Sequence, residues 1–126
     1  MISQQAMYPK IELHVHLEGT VRPATLQRIA RRNDHELAEE LLEPGPFRDF
    51  RHFFTLFEAR LRALQRYDDF REVVVEYAAE AAAHGADNHE AIFVPGLWRG
   101  LDQDEVFGGY CDGAQGRVRC TASRCG

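Results

Sequence analysis

The segment from Lys10 to Thr20 alternates apolar and polar side chains more regularly than any other stretch of the chain. Successive side chains of a β-strand point to opposite faces, so this alternation predicts a short strand with one apolar and one polar face. The apolar face would carry Ile11, Leu13, Val15 and Leu17, and the polar face would carry Glu12, His14, His16 and Glu18. Two imidazoles two residues apart would therefore point in the same direction.

The pair His14 and His16 raises the hypothesis of a metal site on this strand. Neutral imidazole is the commonest metal ligand in proteins, and two imidazoles on one strand face can both lie about 2.0–2.1 Å from one Zn²⁺. An amphipathic edge strand with a solvated polar face would show the same pattern, so the spacing alone leaves both interpretations open. Gly19 favours the metal site, because barrel active sites commonly lie where a strand ends and the chain turns into a helix.

The composition bounds the class of protein. The chain has 126 residues, a formal net charge of −5 and 44% apolar residues, which is ordinary for one globular domain. Mild acidity without a basic stripe argues against nucleic-acid binding. Because no run of about 18 apolar residues and no signal-peptide pattern is present, we expect a cytoplasmic protein without a membrane span. The three cysteines lack Cys-x-x-Cys spacing, which argues against a disulfide framework and against a cysteine zinc site.

The rest of the pattern predicts helices before and after a second strand. Apolar spacings of three and four predict helices that begin near Pro23, near Asp34, within 47–57, at Asp68 or Asp69, and after Asp102. The second strand is predicted over 89–94, directly before Pro95. This order indicates the α/β class with a parallel βα series.

Phenylalanines recur at helical spacing between Phe47 and Phe57. On one helix, Phe50, Phe53, Phe54 and Phe57 would form a broad aromatic face. The pattern alone favours packing of this face in the core, because aromatic side chains bury large areas. An alternative is a groove for a partner, in which case the chain would be a small helical interaction module.

The stretch from Pro9 to Thr20, PKIELHVHLEGT, closely resembles the opening segment of the adenosine deaminase family, the zinc-dependent purine deaminases of the amidohydrolase superfamily. Weaker agreement continues to about residue 115, with Glu90 and Pro95 in the place of the second barrel strand and Ile92 where an arginine is expected. A complete (β/α)₈ barrel typically needs about 250 residues. The resemblance therefore implies a partial TIM barrel, the first two βα units plus inserted lid helices.

The resemblance also implies roles for individual side chains. His14 and His16 would be two ligands of one zinc ion, and His16 would also touch the substrate. At the position of Glu18, the resemblance implies an aspartate in adenosine-specific members, where it reaches a ribose hydroxyl. A glutamate there is more typical of relatives that act on adenine or on modified adenosines. The alternative for Glu18 is a cap of the following helix. The four phenylalanines would belong to the lid above the purine.

The activity that the resemblance implies is hydrolytic deamination of adenosine, adenine or a related purine, with one zinc ion per complete site. The remaining zinc ligands, the catalytic acid and the catalytic base would come from later strands. We therefore expect no catalytic acid or base in this chain and no activity of the chain alone. A non-catalytic remnant is the alternative. The substrate would be a purine nucleoside or base, and nothing in the sequence indicates an oligomeric state.

The segment 116–126 differs from the rest of the chain. It shows no helical or strand periodicity and holds two of the three cysteines. We therefore divide the chain into the N-terminal part of a deaminase barrel over 1–115 and an irregular tail over 116–126. If GC-rich codons for this tail are read one nucleotide out of phase, they can encode a helix end, a glycine and the start of a third strand. A single-base deletion after Gln115 is our hypothesis, and a flexible tail is the alternative.

Overall fold

The structure, a computed structural model, describes residues 10–43, 45–98, 100–115 and 119–122. The strands within these residues are β1 (Lys10–Val15), β2 (Ala86–Phe93) and β3 (Arg119–Ala122). The α-helices are α1 (Pro23–Arg32), α2 (Phe50–Leu61), α3 (Tyr67–Ala83) and α4 (Gln103–Ala114). Short 3₁₀ turns lie at Leu17–Gly19, Glu39–Leu41 and Pro95–Trp98.

The three strands are parallel and lie side by side in the order β1, β2, β3. Parallel neighbours need a crossover connection, and here helices supply it. The helices α1, α2 and α3 stand between β1 and β2, and α4 stands between β2 and β3. This order confirms the predicted α/β class with a parallel βα series and extra helices in the first connection.

Local sequence signals set most of the helix ends. Pro23 occupies the start of α1, where its missing N–H costs nothing. Asp49 accepts a hydrogen bond from the backbone N–H of His52 and so begins α2, and Asp102 caps α4 in the same way. Gly85 follows the end of α3 with φ at 80°, a left-handed conformation that glycine adopts without a steric penalty.

Two predicted elements are shorter than expected. The helix predicted over 34–42 is a single 3₁₀ turn at Glu39–Leu41, because Leu41 alone in that segment is fully buried and packing does not support a longer helix. The first strand ends at Val15 because the next turn carries Leu17 and Glu18 into the interior. The metal-site hypothesis therefore concerns the end of a strand and the turn that follows it.

β3 lies in the segment 116–126, and the prediction of an irregular tail is wrong for Arg119–Ala122. These four residues pair in parallel register with Glu90 to Phe93 of β2. Parallel pairing uses backbone groups, so a strand can form against β2 without alternation in its own side chains. Residues 116–118 and 123–126 of the predicted tail lie outside the described residues.

The core lies between the sheet and the helices α1, α3 and α4. Its largest fully buried side chain is Phe70, whose ring centroid lies 4.8 Å from that of Trp98 and 5.4 Å from that of Tyr110. From α2 only Leu61 is fully buried, so most of this helix stands outside the core. Among the described residues, no helix is long and apolar enough to cross a membrane.

Candidate metal and substrate site

His14 and His16 lie together at the carboxyl end of β1. Their Nε2 atoms are 3.3 Å apart, and the rings meet edge to face with centroids 5.1 Å apart. His16 follows the strand, but its backbone is still extended at φ −88° and ψ 98°. Its side chain therefore keeps the direction that alternation predicts, and the structure brings the two predicted ligands together.

Glu12 does not belong to this pair, and its predicted place on the polar face of β1 is wrong. Its carboxylate accepts a hydrogen bond from the hydroxyl of Tyr77 on α3. The register advances by three residues from Glu12 to Val15 but by only two on β2, from His89 to Ala91. This bulge breaks the alternation, so Glu12 and Val15 both pack toward the helices.

Glu18 is only 3% exposed and lies in the 3₁₀ turn after β1. Its Oε2 accepts a hydrogen bond of 3.3 Å from the Tyr110 hydroxyl, and its Oε1 lies 3.4 Å from His16 Nδ1 without hydrogen-bond alignment. Burial raises the pKa of the Glu18 carboxyl, although hydrogen bonds and the nearby His16 oppose that rise. Within the described residues no side chain caps α1 at Arg22, and the favourable interaction of Glu18 with a helix N-terminus stays an alternative prediction.

An apolar cavity of about 580 Å³ opens beside His16. Cavities of about 300–1,000 Å³ are typical of small-molecule sites. Its wall includes all four phenylalanines named for the lid: Phe50, Phe53, Phe54 and Phe57.

Core packing does not account for most of these aromatic side chains. Phe50 is 77% exposed, and Phe53 and Phe54 are about two-fifths exposed, at 39% and 41%. Phe57 alone of the four packs against the core while also lining the cavity. The interpretation of the whole face as core is therefore wrong, and the structure places these rings on the same cavity wall as His16.

Sequence reasoning missed two charged side chains on the cavity wall, Glu40 and Arg60. Glu40 Oε1 lies 2.7 Å from His52 Nε2. Arg60 donates a hydrogen bond from Nη2 to the backbone oxygen of Val21, whereas its Nε is buried without a hydrogen-bond partner among the described residues. Burial lowers the pKa of the Arg60 guanidinium. The sequence signal for Arg60 was its position three residues after Phe57, which puts the side chains of Phe57 and Arg60 on one face of α2.

The two histidines are the whole of the candidate ligand set in the described part of the chain. No three side chains of His, Cys, Asp or Glu in that part are arranged to hold one metal ion. Catalytic zinc sites usually have three protein ligands and structural sites have four. The histidine pair would therefore need further ligands to complete a zinc site.

Comparison with known sequences places the chain among deaminases. The sequence model described as adenosine deaminase matches residues 9–125. The aminodeoxyfutalosine deaminase of Acidothermus cellulolyticus is 45% identical over 113 residues, which are 85% of this chain and 32% of that protein. The adenine deaminase of Cupriavidus metallidurans is 35% identical over 117 residues, which are 87% of this chain and 33% of that protein. The chain spans about a third of the length of these curated relatives.

Solved structures show the same relationship. The adenine deaminase from Arthrobacter aurescens superposes with a TM-score of 0.74 at 30% identity, covering 89% of this chain and 38% of that one. An amidohydrolase from Burkholderia ambifaria, solved with bound Zn, superposes with a TM-score of 0.75 at 25% identity, covering 93% of this chain and 35% of that one. The bound Zn supports a metal cofactor in this group of proteins.

The parallel βα series and its match to amidohydrolases define part of a TIM (β/α)₈ barrel, which confirms the predicted fold class. The chain belongs to the adenosine deaminase family, as the resemblance implied. The family match reaches residue 125, beyond residue 115, where the resemblance in sequence was expected to end.

The deaminase matches over most of the chain do not favour the helical interaction module. The single-base deletion stays a prediction.

Proposed function

We propose that this chain supplies the first part of a zinc-dependent deaminase of purine bases or nucleosides, and that His14 and His16 are two of the zinc ligands. Family membership supports the reaction class, and relatives named adenine deaminase support the purine class of substrate. The non-catalytic remnant stays the alternative for the chain on its own.

The distance between the two imidazole nitrogens carries the metal assignment. A tetrahedral zinc ion with two Zn–N bonds of about 2.0–2.1 Å holds the two nitrogens about 3.3–3.4 Å apart. The Nε2 atoms of His14 and His16 are 3.3 Å apart, which is the separation that such an ion requires. A hydrogen bond between the two neutral rings would give a similar separation, and metal titration distinguishes the two explanations.

The cavity supports a proposed substrate position next to this pair. His16 stands on the cavity wall, with the Glu18 carboxylate 3.4 Å behind its Nδ1. In the proposal His16 and Glu18 orient the substrate, and the rings of Phe50, Phe53 and Phe54 exclude water from it. The apolar wall suits a flat aromatic base, because aromatic rings stack and pack against one another favourably.

Zinc, when bound, supplies a Lewis acid that lowers the pKa of a bound water toward about 7. The part assigned to this chain is to hold the metal and to shape one side of the substrate cavity. No residue of this chain is assigned the role of catalytic acid or base. We therefore expect the chain alone to bind the metal weakly and to release no ammonia from adenine or adenosine.

Titration with Co²⁺, a spectroscopic substitute for Zn²⁺, tests the ligand assignment on the purified chain. We expect His14→Ala and His16→Ala each to weaken Co²⁺ binding at least about tenfold, a loss typical of disturbed metal sites. His84→Ala is the matched control, because His84 is exposed at the end of α3 and its Nδ1 lies 2.8 Å from the backbone oxygen of Glu80. The control should bind Co²⁺ like the wild type.

Two results would contradict the proposal. One is equal Co²⁺ affinity in the wild type and in the variant that lacks both His14 and His16. The other is no Co²⁺ uptake by the wild type at millimolar metal. Ammonia release from adenine by the zinc-loaded chain, lost in His14→Ala, would instead show that the chain needs no outside ligand or acid.

A further inference from the structure

Tyr110 of α4 reaches the carboxylate that stands behind the proposed zinc ligand His16. Its hydroxyl donates a hydrogen bond of 3.3 Å to Oε2 of Glu18, although the two residues are 92 positions apart in the chain. Both residues are only 3% exposed. Tyr110 belongs to the second βα unit, whereas Glu18 lies in the turn that follows β1. The hydrogen bond therefore joins the two βα units directly behind the histidine pair.

The ring of Tyr110 is held by the core. Its centroid lies 5.4 Å from that of Phe70 and 5.7 Å from that of Phe93, and the rings are inclined at 56° and 65°. Rings that pack at such distances leave one another little room to turn. The hydroxyl is therefore presented to Glu18 by a close-packed part of the protein and not by a surface side chain.

The Glu18 carboxylate faces His16 with its other oxygen. This oxygen, Oε1, has no hydrogen-bond partner among the described residues and lies 3.4 Å from His16 Nδ1. An ionised carboxylate accepts hydrogen bonds but donates none, so it favours neutral His16 with the proton on Nδ1. The lone pair is then on Nε2, the atom that faces His14. This tautomer is the one whose Nε2 can bind a metal ion.

We propose that Tyr110 is a positioning residue of the metal site. Its hydroxyl holds the Glu18 carboxylate behind His16, and the carboxylate keeps His16 in the tautomer that binds metal through Nε2. Carboxylates that contact the second nitrogen of a metal-bound histidine commonly fix its tautomer and ring orientation. The inference rests on the proposed function, which makes His16 a ligand. It extends the site to α4, a helix that contributes no residue to the cavity wall.

Nitrogen NMR of the imidazoles in the metal-free chain tests the inference, because the two neutral tautomers of histidine differ in their ¹⁵N chemical shifts. Spectra at about pH 8 report on neutral imidazoles. We expect the Nδ1–H tautomer of His16 to predominate in the wild type. Tyr110→Phe removes only the hydroxyl, and we expect it to give a mixture of both tautomers. In a Co²⁺ titration, Tyr110→Phe should bind the metal about fivefold more weakly, the factor that one ordinary hydrogen bond provides.

Tyr67→Phe is the matched control. The Tyr67 hydroxyl also donates to a carboxylate, that of Asp112 on α4, but neither of these two residues lines the cavity beside His16. The control should keep the wild-type tautomer and the wild-type Co²⁺ affinity even where it lowers the stability of the fold. Glu18→Leu removes the carboxylate at similar volume. Addition of Tyr110→Phe to Glu18→Leu should change neither measurement further, because the hydroxyl acts through the carboxylate.

The inference is overturned if His16 of the wild type does not favour the Nδ1–H tautomer or if Tyr110→Phe leaves that preference unchanged. It is also overturned if Tyr67→Phe has an equal effect, or if Tyr110→Phe has the same effect with and without Glu18. If Tyr110→Phe does not fold, Glu18→Leu decides: an unchanged tautomer of His16 in that variant overturns the role of the carboxylate.

The two measurements separate this inference from the proposed function. Absence of Co²⁺ uptake by the wild type would contradict the proposed ligands, whereas the NMR comparison needs no metal and still decides whether Tyr110 positions Glu18 and His16. Where the wild type does bind Co²⁺, an undiminished affinity in Tyr110→Phe overturns the positioning role while the ligand assignment stands.

Discussion

The backbone oxygen of Arg71 on α3 lies 2.7 Å from the point where a Cβ on Gly113 of α4 would stand. One turn earlier on α4, Gly109 has the same relation to the backbone oxygen of Tyr67, at 2.5 Å. Carbon and oxygen atoms that are not bonded do not approach so closely. The two glycines therefore let α3 and α4 pack backbone against backbone, and a side chain at either position would push the helices apart.

Gly113→Ala should lower the free energy of unfolding by about 1–3 kcal/mol, the usual cost of forcing extra volume into a packed interface. This loss would appear although alanine favours a helix by about 1 kcal/mol over glycine. Urea denaturation followed by circular dichroism measures the change. The clash also involves the Cβ of Val74, 2.9 Å away, so the side chain of Gly113→Ala has no easy way to move aside.

Gly108→Ala on the same helix is the matched control. The nearest atom to its added Cβ is a ring carbon of Tyr67 at 3.8 Å, which is an ordinary contact. Here only the gain in helix propensity should appear, up to about 1 kcal/mol of added stability. A gain of stability in Gly113→Ala as large as that in Gly108→Ala would show that close packing of α3 on α4 does not limit Gly113.

Asp69 is fully buried and binds the end of α1 to the start of α3. Its Oδ2 accepts hydrogen bonds of 2.6 Å from the Asn33 side chain and 3.0 Å from the backbone N–H groups of Gln65 and Arg66. Its Oδ1 pairs with Arg32. Burial alone would raise the pKa of Asp69, but these hydrogen bonds outweigh burial and hold the pKa below its ordinary value.

A lowered carboxyl pKa stabilises the fold at pH values above the ordinary pKa of aspartate, and that stability disappears as the pH falls through the lowered pKa of the folded state. Asp69→Asn should therefore cost about 3 kcal/mol at pH 7, near the lower end for a broken buried ion pair, because Arg32 is 38% exposed. The difference from the wild type should shrink below about pH 4. Urea denaturation at several pH values measures both effects.

Asp68→Asn provides the comparison for Asp69→Asn, because Asp68 is the neighbouring carboxylate and is exposed. It lies in the first turn of α3, so its loss should cost less than about 1 kcal/mol. A cost for Asp69→Asn that stays constant from pH 7 to about pH 3 would mean that the ionised carboxylate is not the stabilising form.

The histidine pair could be predicted from sequence because it depends only on local backbone direction. Residues two apart in an extended chain point the same way, and His16 remains extended although β1 has already ended. Glu12 could not be predicted in the same way. Its direction depends on a register shift against β2, and nothing in the sequence of β1 itself encodes that bulge.

β3 and Arg60 show two other limits of the sequence pattern. Arg119–Ala122 lacks alternation, and its strand depends on the free edge of β2, which is a tertiary feature. The position of Arg60 on the aromatic helix face follows from spacing, but its hydrogen-bond partner depends on which oxygens surround it in the fold. Only the folded arrangement shows that Val21 provides a neutral partner.

β1 pairs on one side only within the described sheet, and it presents Ile11 and Leu13 to solvent at 64% and 63% exposure. An apolar strand with an unpaired edge is a template for pairing with another chain. We therefore expect the isolated chain to self-associate as its concentration rises through the micromolar range. Sedimentation velocity at a series of concentrations measures this association.

Leu13→Lys should reduce that self-association, because a lysine on an edge strand opposes pairing with a second strand. Ala82→Lys is the control: it adds the same charge at an exposed position on α3, away from the sheet. If the change in net charge from −5 to about −4 alone altered the association, the two variants would sediment alike. A reduction in Leu13→Lys alone would assign the association to the edge of β1, the strand that also carries His14, whereas equal reductions would rule that edge out as its cause.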